Sequence, residues 1–193
     1  MSKKNIITIL ILLGIAILVF IIYTLSKPKI EVYTDISGYE SRLQTPKTKW
    51  HKWNMDESIW PKTITSNMNV LDYKMVYYDP FDAEYLGYLV VEYNDEDYQK
   101  ERARLIEYES NKYIGYYSVG EEKTYTLLAI NADDYHGFIY ALTDGKNTII
   151  YAEQIFCNYF MDLDYKEYMR GDYFLDGFDA TKNNPYRKEA FGK

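Results

Sequence analysis

Hydrophobic and polar positions divide this chain into two unlike parts. Residues 5–26 hold no charge and are dominated by Ile and Leu. At about 1.5 Å per residue, a helix over such a run reaches across the roughly 30 Å hydrocarbon core of a bilayer. The sequence therefore predicts a single N-terminal transmembrane helix. The run exceeds the apolar core of a cleavable signal, and Tyr23-Thr24-Leu25-Ser26 offers no Ala-x-Ala-like site. An uncleaved single-pass signal-anchor follows, with the C-terminal domain outside the cell membrane.

Further along, the period of the pattern changes. From Val70, Leu71, Tyr73, Met75 and Tyr77 alternate with Asp72, Lys74 and Val76, the period-two pattern of a half-buried strand. Asp79-Pro80 ends it. Residues 85–93 are apolar on both faces, as a central strand requires. A surface helix begins after Asn94, a candidate N-cap, with Asp95, Glu96 and Asp97 in its first turn, where the helix dipole favours acid. Tyr98, Leu105 and Ile106 form its narrow apolar stripe. Further strands are expected at 125–131, 137–143 and 147–156, with Asp144-Gly145 turning the last pair, and a short one at 113–119.

The predicted fold is thus α+β, a mostly antiparallel sheet in β-β-α-β-β-β order with one surface helix. The expected division is a cytoplasmic tail at 1–4, the anchor at 5–26, a tether at 27–34, the extracytoplasmic domain at 35–169 and an irregular tail at 170–193. Asp35 is a plausible cap for a short helix before Leu43. Phe174 and Phe178 are the residues able to pin the tail.

Charge narrows the partners. After Lys29 the chain has 18 Lys and Arg against 29 Asp and Glu, a net charge of −11. Phosphate backbones repel such a domain, so no nucleic acid is expected, and a basic protein or peptide is favoured. The 23 tyrosines suit both wet-edged cores and recognition surfaces. With the anchor, the composition points to a bacterial cell-envelope protein.

Catalytic and metal templates fail one after another. Two histidines and a single cysteine cannot supply zinc spacing, and an EF-hand starting at Asp162 has Glu167 where the turn needs glycine. No metal or cofactor is expected. No Gly-x-Ser-x-Gly is present, and Asp144-Gly145-Lys146 lacks the upstream glycine of a phosphate loop. Cys157, among Ile155, Phe156, Tyr159 and Phe160, reads as a buried small residue.

Two segments stand apart. Lys49-Trp50-His51-Lys52-Trp53, with Trp60 nearby, joins indoles to positive charge. Asp133-Asp134-Tyr135-His136 places a histidine among acids at a strand start. The candidate binding residues are therefore Trp50, Trp53, Trp60, Asp133, Asp134 and His136. The expected function is a membrane-anchored, non-enzymatic module that captures a protein or peptide, one version being immunity-type neutralisation of a toxin. The alternative is an envelope enzyme or glycan-binding domain acting on wall polymer.

Overall fold

The computed structural model describes residues 3–25, 28–112 and 124–192. Helix α1 is Lys3–Leu25. Six strands follow: β1 Glu31–Tyr33, β2 Asn69–Tyr78, β3 Glu84–Glu92, β4 Thr126–Asp133, β5 Gly137–Thr143 and β6 Thr148–Ile155. Helix α2, Asp95–Glu107, lies between β3 and β4, and α3, Pro185–Phe191, comes near the end.

The predicted membrane helix is corrected. Among the described residues, no helix is long and apolar enough to cross a membrane. Residues 9–21 of α1 are an exposed run of Ile, Leu, Val, Phe and small residues. The transmembrane, single-pass, signal-anchor and extracytoplasmic assignments are withdrawn with it.

All strand pairs are antiparallel, in the order β1-β2-β3-β6-β5-β4. Strand β1, inside the expected tether, is an edge strand on β2. Strands β3 and β6 sit side by side at the centre, which explains why 85–93 is apolar on both faces. The hairpin β5–β6 turns at Gly145, whose φ of 76° is the left-handed region a glycine enters freely. The strand expected at 113–119 lies outside the described residues.

Two layers cover the sheet. On one face, Leu86, Tyr88, Phe138, Tyr140, Ala152 and Phe156 meet the C-terminal segment through Met161, Leu163, Tyr165, Met169 and Tyr173. On the other, Tyr85, Leu89, Val91, Ile139, Tyr151 and Ile155 meet the 36–68 loops and α2. Asn94 caps α2 by accepting from Asp97 N at 2.9 Å. Tyr98 and Leu105 are buried, whereas Ile106 is exposed, so the apolar stripe is narrower than predicted. Arg104 ties α2 to the loop layer by donating to the carbonyls of Ser58 and Ile59.

Much of the tyrosine excess is core. Tyr39, Tyr73, Tyr85, Tyr88, Tyr93, Tyr98, Tyr140 and Tyr151 are buried, and each hydroxyl has a hydrogen-bond partner. Tyr93 and Tyr151 share a 2.8 Å hydrogen bond, Tyr151 donates to Glu101 at 2.6 Å, and Tyr140 donates to the Tyr173 carbonyl at 2.6 Å. The expected irregular tail is more ordered than its sequence suggests. Phe174 and Phe178 stack at 5.5 Å against the Tyr165 ring, and α3 forms beyond them.

Glu84 fastens this C-terminal layer. Its carboxyl, 3% exposed, accepts from Asp162 N at 2.5 Å and Leu163 N at 2.9 Å. Burial raises its pKa from 4.5 to about 7, although the two N–H donors pull the other way. The folded state therefore holds the proton more tightly than the unfolded chain. That contribution to stability is full below the ordinary carboxyl value and is lost as pH rises through about 7. Urea unfolding of the wild type is expected to show this falling component, and Glu84→Gln is expected to flatten it. Parallel pH profiles for the two proteins would contradict the assignment.

Candidate functional site

The antiparallel register brings three connections to one end of the sheet. Strand β2 ends there at Tyr78, β3 starts at Glu84, β4 ends at Asp133, β5 starts at Gly137 and β6 ends at Ile155. The pairs Tyr85–Ile155 and Gly137–Ile155 hold these ends level. The connection 79–83, the turn 134–136 and the segment after β6 therefore share one rim.

The turn is built around Asp133. Its Oδ1 accepts from Tyr135 N at 3.0 Å and His136 N at 2.8 Å, and lies 3.0 Å from His136 Nδ1. One carboxylate thus closes the turn and orients the imidazole. Gly137 completes it, because its φ is 104° and a Cβ there would lie 2.1 Å from the Gln154 carbonyl oxygen.

Trp53 comes to this rim from the loop layer. Its ring stacks on His136 with centroids 5.8 Å apart and planes at 24°. Its Nε1 donates to the Ala83 carbonyl at 2.8 Å, and its backbone N–H donates to His51 Nδ1 at 3.1 Å. The backbone is unusual here. Lys52, Trp53 and Asn54 have φ of 44°, 53° and 60°, three successive non-glycine residues in the left-handed region. That conformation disfavours each by roughly 1–2 kcal/mol, so the surroundings must hold it.

The rings continue as a band. His51 meets Trp53 edge-on at 5.0 Å, Tyr135 meets His136 at 5.0 Å, Tyr159 meets Tyr135 at 5.3 Å, and Phe191 meets Tyr159 at 5.5 Å. His51, Trp53, Tyr135, His136 and Tyr159 are half-buried and Phe191 is exposed. Polar groups knit the band to the hairpin. Tyr135 donates to Asn158 Oδ1 at 2.5 Å, and Asn158 Nδ2 donates to Asp82 at 2.8 Å. Beside Asp82, Phe81 is 94% exposed.

Of the sequence-predicted residues, Trp53, Asp133 and His136 come together, and Asp134 stands exposed in the same turn. Trp50 and Trp60 do not join them. Trp50, 7% exposed, packs on Tyr33, Tyr77 and Tyr85. Trp60, 2% exposed, stacks on Tyr39. Cys157 is half-buried rather than buried, and burial pushes its thiol up. Phe81, Tyr135, Asn158 and Tyr159 escaped the sequence reading. The usable signal for Phe81 was an aromatic residue between Pro80 and Asp82, where the pattern breaks.

His136 is oriented by a carboxylate, and the neighbours of its ring among the described residues are Asp133, Trp53 and Tyr135. Among the described residues, no group of three His, Cys, Asp or Glu side chains could hold a metal ion. Two cavities, of about 470 and 430 Å³, lie away from the band among residues of the C-terminal layer such as Phe174, Phe178, Asp162 and Lys182. No family model, curated protein or solved structure matches the chain.

Different burial gives the tryptophans different expected effects. Trp60→Ala is expected to lower unfolding stability by about 3–5 kcal/mol, the cost of emptying a core site. Trp53→Ala is expected to cost far less, because the ring removed is only half-buried. Equal losses in urea unfolding would place Trp53 in the core instead.

Proposed function

We propose that the protein is a non-catalytic recognition module that binds a basic protein or peptide segment through its acidic, aromatic rim. The observation that supports this best is the half-exposed stack of Trp53 on His136, on a rim whose turns also carry the exposed Phe81 and the carboxylates of Asp82, Asp133 and Asp134. Aromatic side chains anchor interfaces, and surrounding charge steers encounter and selects partners. The net charge of −11 after Lys29 acts in the same direction. Toxin neutralisation would be one use of such a module.

Rings that present a face also suit sugars, so glycan binding is the competing reading and is tested alongside. Immobilised full-length protein would be titrated with synthetic peptides of alternating Lys and Leu, and with cell-wall glycan fragments. Peptide binding is expected to weaken as salt rises. It is also expected to fall at least about tenfold, 1.4 kcal/mol, with either Phe81→Ala or Trp53→Ala. Binding to glycan alone, or peptide binding indifferent to salt and to both substitutions, would overturn the proposal.

A further inference from the structure

Beneath the rim lies a buried charge cluster that contact with a partner does not use. The Lys52 side chain has no exposed surface. Its Nζ lies 2.8 and 2.9 Å from the two oxygens of Glu153, also wholly buried, and forms a second ion pair with Glu57. Glu153 comes from the central strand β6, and Glu57 from the loop layer, where it also accepts from Gln44 N. The Trp60 ring closes one side, with its centroid 5.8 Å from Nζ.

Stability alone does not account for such a cluster, since apolar replacements of buried ion pairs are often as stable or more so. The best-attested use of buried charge is to fix one geometry among several. The geometry to be fixed here is the left-handed turn of Lys52, Trp53 and Asn54. The turn is gripped twice, through Lys52 Nζ on Glu153 of β6 and through Trp53 Nε1 on the Ala83 carbonyl in the connection just before β3.

We propose that the Lys52–Glu57–Glu153 cluster is a lock that sets this turn and so presents Trp53 on His136, which makes Lys52 a positioning residue for the recognition rim. It rests on the recognition reading only for what the rim is for. The other ionisable groups facing the cluster are the phenols of Tyr39, Tyr73 and Tyr85, all raised by burial and neutral in ordinary buffers. Burial disfavours the charged form of both partners: it raises the Glu153 carboxyl, whereas at Lys52 the attraction of Glu153 and Glu57 outweighs it and raises the ammonium.

The lock can be tested on the full-length chain without a partner, by NMR. Two signals report on it: hydrogen exchange of the Trp53 indole N–H, and the ring-current shift that Trp53 imposes on His136. Lys52→Met alone would orphan two buried carboxylates, so the informative variant is Lys52→Met combined with Glu153→Met. This double variant is expected to unfold cooperatively and to keep the slow exchange of the Trp60 indole. Its Trp53 indole is expected to exchange at least about tenfold faster, with the His136 shift lost. A folded double variant with both Trp53 signals unchanged would overturn the proposal. If the double variant does not fold, Glu57→Gln must show the same selective loss at Trp53, and an unchanged Trp53 there would equally overturn it. Neither signal involves a partner, so failure of the lock and failure of peptide binding are separate results.

Discussion

Strands β3 and β6 lie side by side with both faces buried, and any polar side chain they carry must be met by a group from a covering layer. Glu84 is met by the N–H groups of Asp162 and Leu163, and this seats the C-terminal layer. Glu153 is met by Lys52, and this seats the loop layer on the opposite face. Gln154 donates to Met169 Sδ of the C-terminal layer and to the hydroxyl of Tyr140 on β5, which in turn donates to the Tyr173 carbonyl. Three polar residues near one end of two central strands thus determine how both layers dock, and the aromatic rim forms at that same end.

The dependence runs from sheet to surface. Paired strand ends bring the 79–83 connection and the 134–136 turn to one rim. Asp133 shapes the turn and orients His136. Lys52 reaches down to β6, and the turn it belongs to carries Trp53 across to His136. The rings of the rim thus have anchors beneath them, Trp53 on the Ala83 carbonyl and His136 on Asp133, besides their contacts with one another. This matters for recognition, because a partner meeting a rigid, already ordered surface loses less to side-chain ordering on binding.

Local signals were legible in the sequence where neighbouring residues create them. Asn94 with Asp97 announced the start of α2, Asp144-Gly145 marked the β5–β6 turn, and the alternation after Val70 located β2. Contacts between distant residues left no such trace. Lys52 read only as one charge in a short run of lysines and indoles, yet its partner Glu153 is 101 residues away and the pair is buried. Trp50, Trp53 and Trp60 looked alike, and only packing separates the half-exposed one from the two in the core. The three-residue strand β1 exists because β2 offers it an edge, not because Glu31–Tyr33 has a pattern of its own. The N-terminal run shows the opposite failure. Its apolar pattern is plain, but the inference from it to a membrane span went further than the described helix supports.

The most direct measurement is chemical-shift mapping of the full-length protein with a lysine–leucine peptide. Shifts confined to Phe81, Trp53, Tyr135, His136 and their neighbours would place recognition at the rim, and this is the expected result. Shifts centred on the C-terminal layer, around Phe174 and Phe178, with the rim silent, would contradict it.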